Sequence, residues 1–178
     1  PDKPVADAIR KVWASIWNFR AFEERSYRSI DHLSVAMAIL SHRSFPDEEM
    51  NGVALTNNPF DPSGLEPAFY VNVQLGETSV VLPPAGVTAD SFLYYYDQPN
   101  QPVSYLSRSS LTEDGAPVLN NAQLFELGTA LDRIRTFFTP LYGSSTAWWA
   151  MDVEFKFDGG ILEFVNFLDE KREKLKNK

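Results

Sequence analysis

Met151-Asp152-Val153-Glu154-Phe155-Lys156-Phe157-Asp158-Gly159-Gly160-Ile161-Leu162-Glu163-Phe164-Val165 is the stretch on which the fold turns. In an extended strand, alternate residues face the same way. Asp152, Glu154 and Lys156 then share one face, and Val153, Phe155 and Phe157 the other. Asp158-Gly159-Gly160 breaks the pattern with residues that reach positive φ easily, a hairpin signal, and a second apolar run follows. Two carboxylates held two residues apart on a rigid hairpin offer hard oxygen donors, few in number. A cation such as Mg²⁺ takes that kind of set while leaving room for water and phosphate. The same pattern also describes an antiparallel hairpin with one wet face and no ligand.

Composition bounds the rest. A chain of 178 residues fits one ordinary domain or two small ones. The 44% apolar content, with 13 Phe, 7 Tyr and 4 Trp, is ample for a packed core and argues against disorder. A formal charge of -8 would repel a nucleic-acid backbone, which argues against nonspecific binding to it. With no cysteine, neither a disulfide framework nor a thiolate metal site is possible. No signal-peptide pattern and no apolar run of membrane-spanning length is present, so the expectation is a cytoplasmic protein without a membrane partner. The chain opens at Pro1 without Met, and it reads as a segment of something longer.

Periodicity predicts a helix from Pro4 to about Arg28, with Ile9, Val12, Trp13, Ile16 and Trp17 as a core stripe. Leu33 to Leu40 reads as a buried strand. Further strands are expected over Gly52–Thr56, Ala68–Gln74, briefly Val80–Leu82, and Gln101–Ser107. Asp90–Tyr96 suits either a strand or a helical turn. Pro59, Pro62, Gly64 and Pro67 mark a loop over residues 57–67. A second helix is predicted over Ala122–Phe138, striped by Leu124, Leu127, Leu131, Ile134 and Phe138 and stopped by Pro140 and Gly143. The charged residues 169–178 read as a frayed helical tail behind a domain spanning 1–168. Strand pairs adjacent in sequence imply an α+β fold with a mainly antiparallel sheet and flanking helices. The aromatic middle (Phe92, Tyr94, Tyr95, Tyr96, Tyr105) also suits a carbohydrate- or peptide-binding surface.

Four segments carry a family resemblance. They are Val12–Arg25 (VWASIWNFRAFEER), Asn51–Pro59 (NGVALTNNP), Val71–Glu77 (VNVQLGE) and Met151–Phe155 (MDVEF), in that order. Together they resemble the nucleotide-binding domain of the pyruvate phosphate dikinase and phosphoenolpyruvate synthase family, over roughly residues 5–165. The resemblance implies an ATP-grasp fold with ATP and Mg²⁺ as cofactors. Asp152 and Glu154 would hold the metal. Asn166 stands where the family usually has a metal-binding Gln, and it offers the same carbonyl on a shorter stem. Leu168 stands where an Arg usually reaches a phosphate. Val35–His42 resembles the strand whose backbone reads the adenine edge, with His42 in place of a Gln. Asn72, Gln74 and Glu77 lie on the segment that approaches ribose and phosphates, although by themselves they also read as a polar strand end leading into a Gly turn. Lys156, on the carboxylate face, could simply pair with Glu154.

The implied activity is phosphoryl transfer from ATP through a His on another domain. The partners implied are the N-terminal half of the ATP-grasp domain, with its lysine and V-R-S-S-type segment, and a phosphohistidine domain. Ser107-Arg108-Ser109-Ser110 falls too late in the order to be that segment and reads as a loop. Without those partners the chain is expected to be inactive, because positioning and charge neutralisation are nearly all of phosphoryl-transfer catalysis. Leu168 favours a different reading, a degenerate domain kept as a binding or regulatory module.

Overall fold

The computed structural model describes residues 5–41, 45, 47–142 and 148–172, with backbone alone for 169–172. The chain divides into two compact units, Pro1–Arg43 and Ser44–Lys178.

The first unit holds two helices where one was predicted, α1 (Val5–Ser15) and α2 (Phe19–Tyr27). Asn18 makes the break. Its backbone is extended and its side-chain oxygen accepts the Ala21 N–H at 2.8 Å, which caps α2. The predicted core stripe is not buried: α1 buries none of its residues, and Trp13 and Trp17 are both more than half exposed. Arg25 is the buried residue of α2. Its Nε donates to His32 Nδ1 at 3.1 Å, its guanidinium lies 5.3 Å from the Trp17 ring, and His32 stacks on Phe22. The strand predicted over 33–40, and the adenine-reading strand with it, is absent among the described residues, and Leu33 and Leu40 are exposed. An apolar run becomes a strand only where a neighbouring strand satisfies its N–H and C=O groups, and this segment belongs to no ladder of the sheet. His42 lies outside the described residues.

The second unit is built on β1 (Glu48–Leu55), β2 (Phe69–Leu75), β3 (Asp90–Tyr94), β4 (Val103–Ser107), β5 (Trp148–Asp158) and β6 (Ile161–Arg172). They form one sheet in the order β4-β3-β2-β1-β5-β6, each neighbouring pair antiparallel. Asp90–Tyr96 is thus mostly strand, whereas Val80–Leu82 lies in the long β2–β3 connection. β6 carries the backbone of Asp169–Arg172 along β5 rather than into a helix. Between β5 and β6, Gly159 and Gly160 take φ of 60° and 77°, the pair of positive values that a two-residue hairpin turn of matching twist requires.

Helix α3 (Asn121–Tyr142) connects β4 to β5. It runs past Pro140, which in the last turn removes only one helical hydrogen bond. Leu127 and Leu131 are fully buried on the sheet face formed by Val71, Val73, Phe92, Val153, Phe155 and Phe157. Two glycines permit this packing. A Cβ on Gly52 would meet the Phe155 ring at 2.4 Å, and one on Gly128 would meet the Tyr94 ring at 2.4 Å. The aromatic middle is therefore mostly core: Phe92 and Tyr94 are buried and Tyr96 packs against them, Tyr95 is half-buried, and exposed Tyr105 lies under the Arg108 guanidinium.

Candidate functional site

The face of the sheet opposite α3 carries the polar residues, and the ladders set them in rows. Asn166, Glu154, Val53, Asn72 and Ser91 form one row across β6, β5, β1, β2 and β3. Leu168, Asp152, Leu55, Tyr70 and Leu93 form the next. Adjacent strands lie about 4.8 Å apart, so Asn72 stands roughly 10 Å from Glu154 with Val53 between them. Asp152 and Glu154 are about 7 Å apart along β5. The expected carboxylate pair and its amide thus meet on one face.

Asn166 reaches that face because of a bulge. Phe155 pairs with Phe164 but Glu154 pairs with Asn166, so Val165 is an extra residue in β6. Were the same residues to continue in regular register past Phe164, Val165 would oppose Glu154 and Asn166 would turn toward α3. The local sequence gives the reason. Phe164 and Phe167 are three residues apart, and a strand can put both rings on the apolar face only by inserting one residue. Their centroids lie 5.6 Å apart.

Asp152 and Asn166 are half-buried and Glu154 is exposed. Asn166 Oδ1 accepts the Phe167 N–H at 2.9 Å, and an amide oxygen has a second lone pair for a cation. Lys156 does not pair with Glu154. Its ammonium donates to Glu48 Oε2 and sits 5.2 Å from the Phe45 ring. Among the described residues Glu154 makes no hydrogen bond or ion pair, which leaves its negative charge to the solvent face. Among those residues too, no three Asp, Glu or His side chains converge on a common metal position. Any metal here relies on two carboxylates, an amide and its own waters or ligand oxygens.

The β2–β3 connection folds back over the same face along β1 and β2, and amide side chains tie it down. Asn51 Nδ2 donates to the Gly76 and Thr78 carbonyls, Asn72 Nδ2 to Val80, and Gln74 Nε2 to Thr88 at 2.8 Å. Gln74 is buried, and its Oε1 also accepts from Ser109 Oγ at 2.7 Å and from the Leu75 N–H at 2.9 Å. It is a structural tie with no open side toward solvent. Asn72 is half-buried with its oxygen unused by any described hydrogen bond, and Glu77 is exposed on the turn that follows β2. Sequence reading passed over Asn51, although an Asn inside a strand, where its propensity is poor, was a signal. Ser107-Arg108-Ser109-Ser110 is structural as well: the Ser109 N–H donates to buried Asp90 at 2.7 Å, and Arg108 Nε donates to the Gly115 carbonyl.

A concavity of about 440 Å³ is found elsewhere. It lies between α3 and β6, lined by Phe125, Thr129, Ala130, Arg133, Leu162 and Phe164 among others. Leu162 and Phe164 belong to the apolar face, so this groove and the carboxylates are on opposite sides of the sheet. Among the described residues no helix is long and apolar enough to cross a membrane.

An antiparallel sheet with a helix packed on one face and oxygen-rich side chains on the other defines an α+β, ATP-grasp-like domain. The chain matches the family described as pyruvate phosphate dikinase, AMP/ATP-binding domain, over residues 2–178, and it belongs to that family. It is thus a nucleotide-binding domain of the dikinase type. No curated protein matches it.

Proposed function

We propose that this domain binds Mg·ATP on the polar sheet face and takes part in phosphoryl transfer to a His on another domain of a dikinase-type phosphotransferase. The observation that carries the reading is the convergence of Asp152, Glu154 and Asn166 on one face, with the bulge at Val165 setting Asn166 opposite Glu154. Mg²⁺ prefers oxygen donors and binds through one or two carboxylates while retaining water and phosphate ligands, so this donor set fits it. When bound, the ion supplies charge neutralisation between phosphate oxygens. The carboxylates hold the cation, and the exposed position of Glu154 leaves room for a phosphate beside it. Asn72, two strands away with a free amide oxygen, and Glu77 on the following turn would orient the ribose and phosphates. Gln74 acts at one remove by holding the β2–β3 connection. His42 is proposed at the adenine edge. The N-terminal half of the ATP-grasp fold and a phosphohistidine domain are the proposed partners, and the proposed location is the cytoplasm.

A second reading, a degenerate domain that binds or regulates without transferring phosphate, is favoured by Leu168. It stands opposite Asp152, more than half exposed, with no charge to offer a phosphate. Calorimetric titration with ATP, with and without Mg²⁺, separates the two. Metal-dependent binding that disappears in Asp152→Ala/Glu154→Ala supports the phosphotransferase reading. Negligible binding by both proteins would end it.

A further inference from the structure

Helix α3 turns Leu127 and Leu131 to the sheet, and its other face carries an unusual set of side chains. Glu126, Thr129, Ala130 and Arg133 line the concavity beside β6, and Phe137, one turn beyond Arg133, is 68% exposed. Thr129 and Ala130 are short, which hollows the middle of the helix. Ala122, one turn before Glu126, is short and exposed as well. Glu126 and Arg133 are exposed and stand two turns, or about 10.5 Å, apart along the axis. Neither makes an ion pair among the described residues. Every one of these features has its complement on the same face, at the position reached by reversing the helix.

We infer that this face of α3 docks a second copy of the chain, helix against helix, about a two-fold axis between residues 129 and 130. Antiparallel pairing about that axis sets Glu126 opposite the partner's Arg133 and Phe137 opposite the partner's Ala122. Thr129 then meets the partner's Ala130, and short side chains at the crossing let the helices approach to about 8 Å. Symmetry makes each contact twice. Moving the axis one turn toward either end sets Glu126 against Glu126 or Arg133 against Arg133, so the charges select this register. They also select it against the net charge of -8, which opposes any other association of two copies. A contact of a few helical turns a side buries less than the roughly 800 Å² per partner of a standard interface. The dimer is therefore a weak one, dissociating at about tens of micromolar. The inference is independent of the nucleotide reading of the opposite sheet face.

The test is sedimentation equilibrium of the full chain over a concentration series from about 5 to 300 µM, which brackets such a constant. The weight-average mass of the wild type should rise from one chain toward two. Arg133→Glu sets like charges opposite each other at both ends of the contact and should weaken association by at least about tenfold. The exchange Glu126→Arg/Arg133→Glu should restore it to within about threefold of the wild type, which a general effect on folding would not do. The chain has no cysteine, so Ala130→Cys places a single thiol beside the axis. A short bismaleimide should link Ala130→Cys chains in pairs and leave Ser63→Cys chains single. A mass of one chain throughout the series overturns the inference. So does an association that Arg133→Glu leaves unchanged or that the exchange fails to restore, since the contact then lies on another surface. Should circular dichroism show Arg133→Glu unfolded, Arg133→Gln carries the comparison, because it breaks the pair without adding a like charge.

Discussion

Leu168 faces Asp152 across the outer ladder and is more than half exposed, so a larger side chain there meets solvent rather than core. Arg at that position would place a guanidinium beside the carboxylate row, within reach of a phosphate. Leu168→Arg should tighten Mg·ATP binding by roughly three- to tenfold at low salt, with the gain shrinking as salt screens it. Titrations at two ionic strengths measure this; an affinity unmoved at both would mean that no phosphate lies near β6. Much at this scale was legible from the alternation of residues 152–157, which by itself puts Asp152 and Glu154 on one face. Gln74 was not legible. A buried amide making three hydrogen bonds and a surface amide awaiting a ligand have the same local sequence, and only the path of residues 76–88 distinguishes them. Lys156 was misjudged for a similar reason: Glu48 lies 108 positions away in the chain.

Arg135 on α3 shows how one element is fastened to another. It donates to both oxygens of Asp97, in the β3–β4 connection, at 2.8 and 2.9 Å, and to Asp132 one turn back. The hydrogen bonds from Arg135 hold the Asp97 carboxyl below its ordinary range against a smaller opposing effect of burial. A carboxylate of lowered pKa contributes stability that is fully present above its unfolded value, about 3.9, and is lost as pH falls through the lower folded value. Asp97→Asn should therefore lower stability at neutral pH by at most about 1 kcal/mol, since the pair is partly exposed and screened by solvent. The difference from wild type should shrink as pH falls below the unfolded value and through the lowered folded one, where Asp97 becomes protonated in both states. Urea unfolding at a series of pH values reads it, and a gap constant down to the most acid point would refute the assignment. Helices and strands were legible where one side chain type repeated with one period, as in α3. They were not where a single cap decided the outcome, as at Asn18, or where an apolar run lacked a strand to pair with, as over residues 33–41.

At the scale of the molecule, β1 is the hub of the second unit. It pairs with β2, the next strand in the chain, and with β5, which follows α3 and about a hundred residues of intervening chain. The carboxylates therefore take their places only when that distant pairing closes, and a ligand that binds them stabilises the assembled sheet. Mg·ATP at about a hundred times its Kd should add about 2.7 kcal/mol, and the midpoint of thermal unfolding should rise by roughly 5–10 °C. ATP with a chelator should give no such rise. A scan in which the two conditions coincide would count against a metal-dependent site. The family's fold class could be read from adjacent strand pairs in the sequence, whereas the β1–β5 ladder that assembles the site depends on contacts too distant for any local pattern to announce.

The extra residue at Val165 has a consequence for how this site can change over generations. Chain length between the Gly159-Gly160 turn and Asn166 selects which residue faces Glu154, so an insertion can reach the site as surely as a substitution does. Loss of one residue from Ile161–Val165 flattens the ladder and leaves Asn166 where it is. Gain of one either enlarges the kink or trades Asn166 for a neighbour that brings no oxygen. A lineage can thus lose the amide donor while still encoding it, by a single codon inserted upstream.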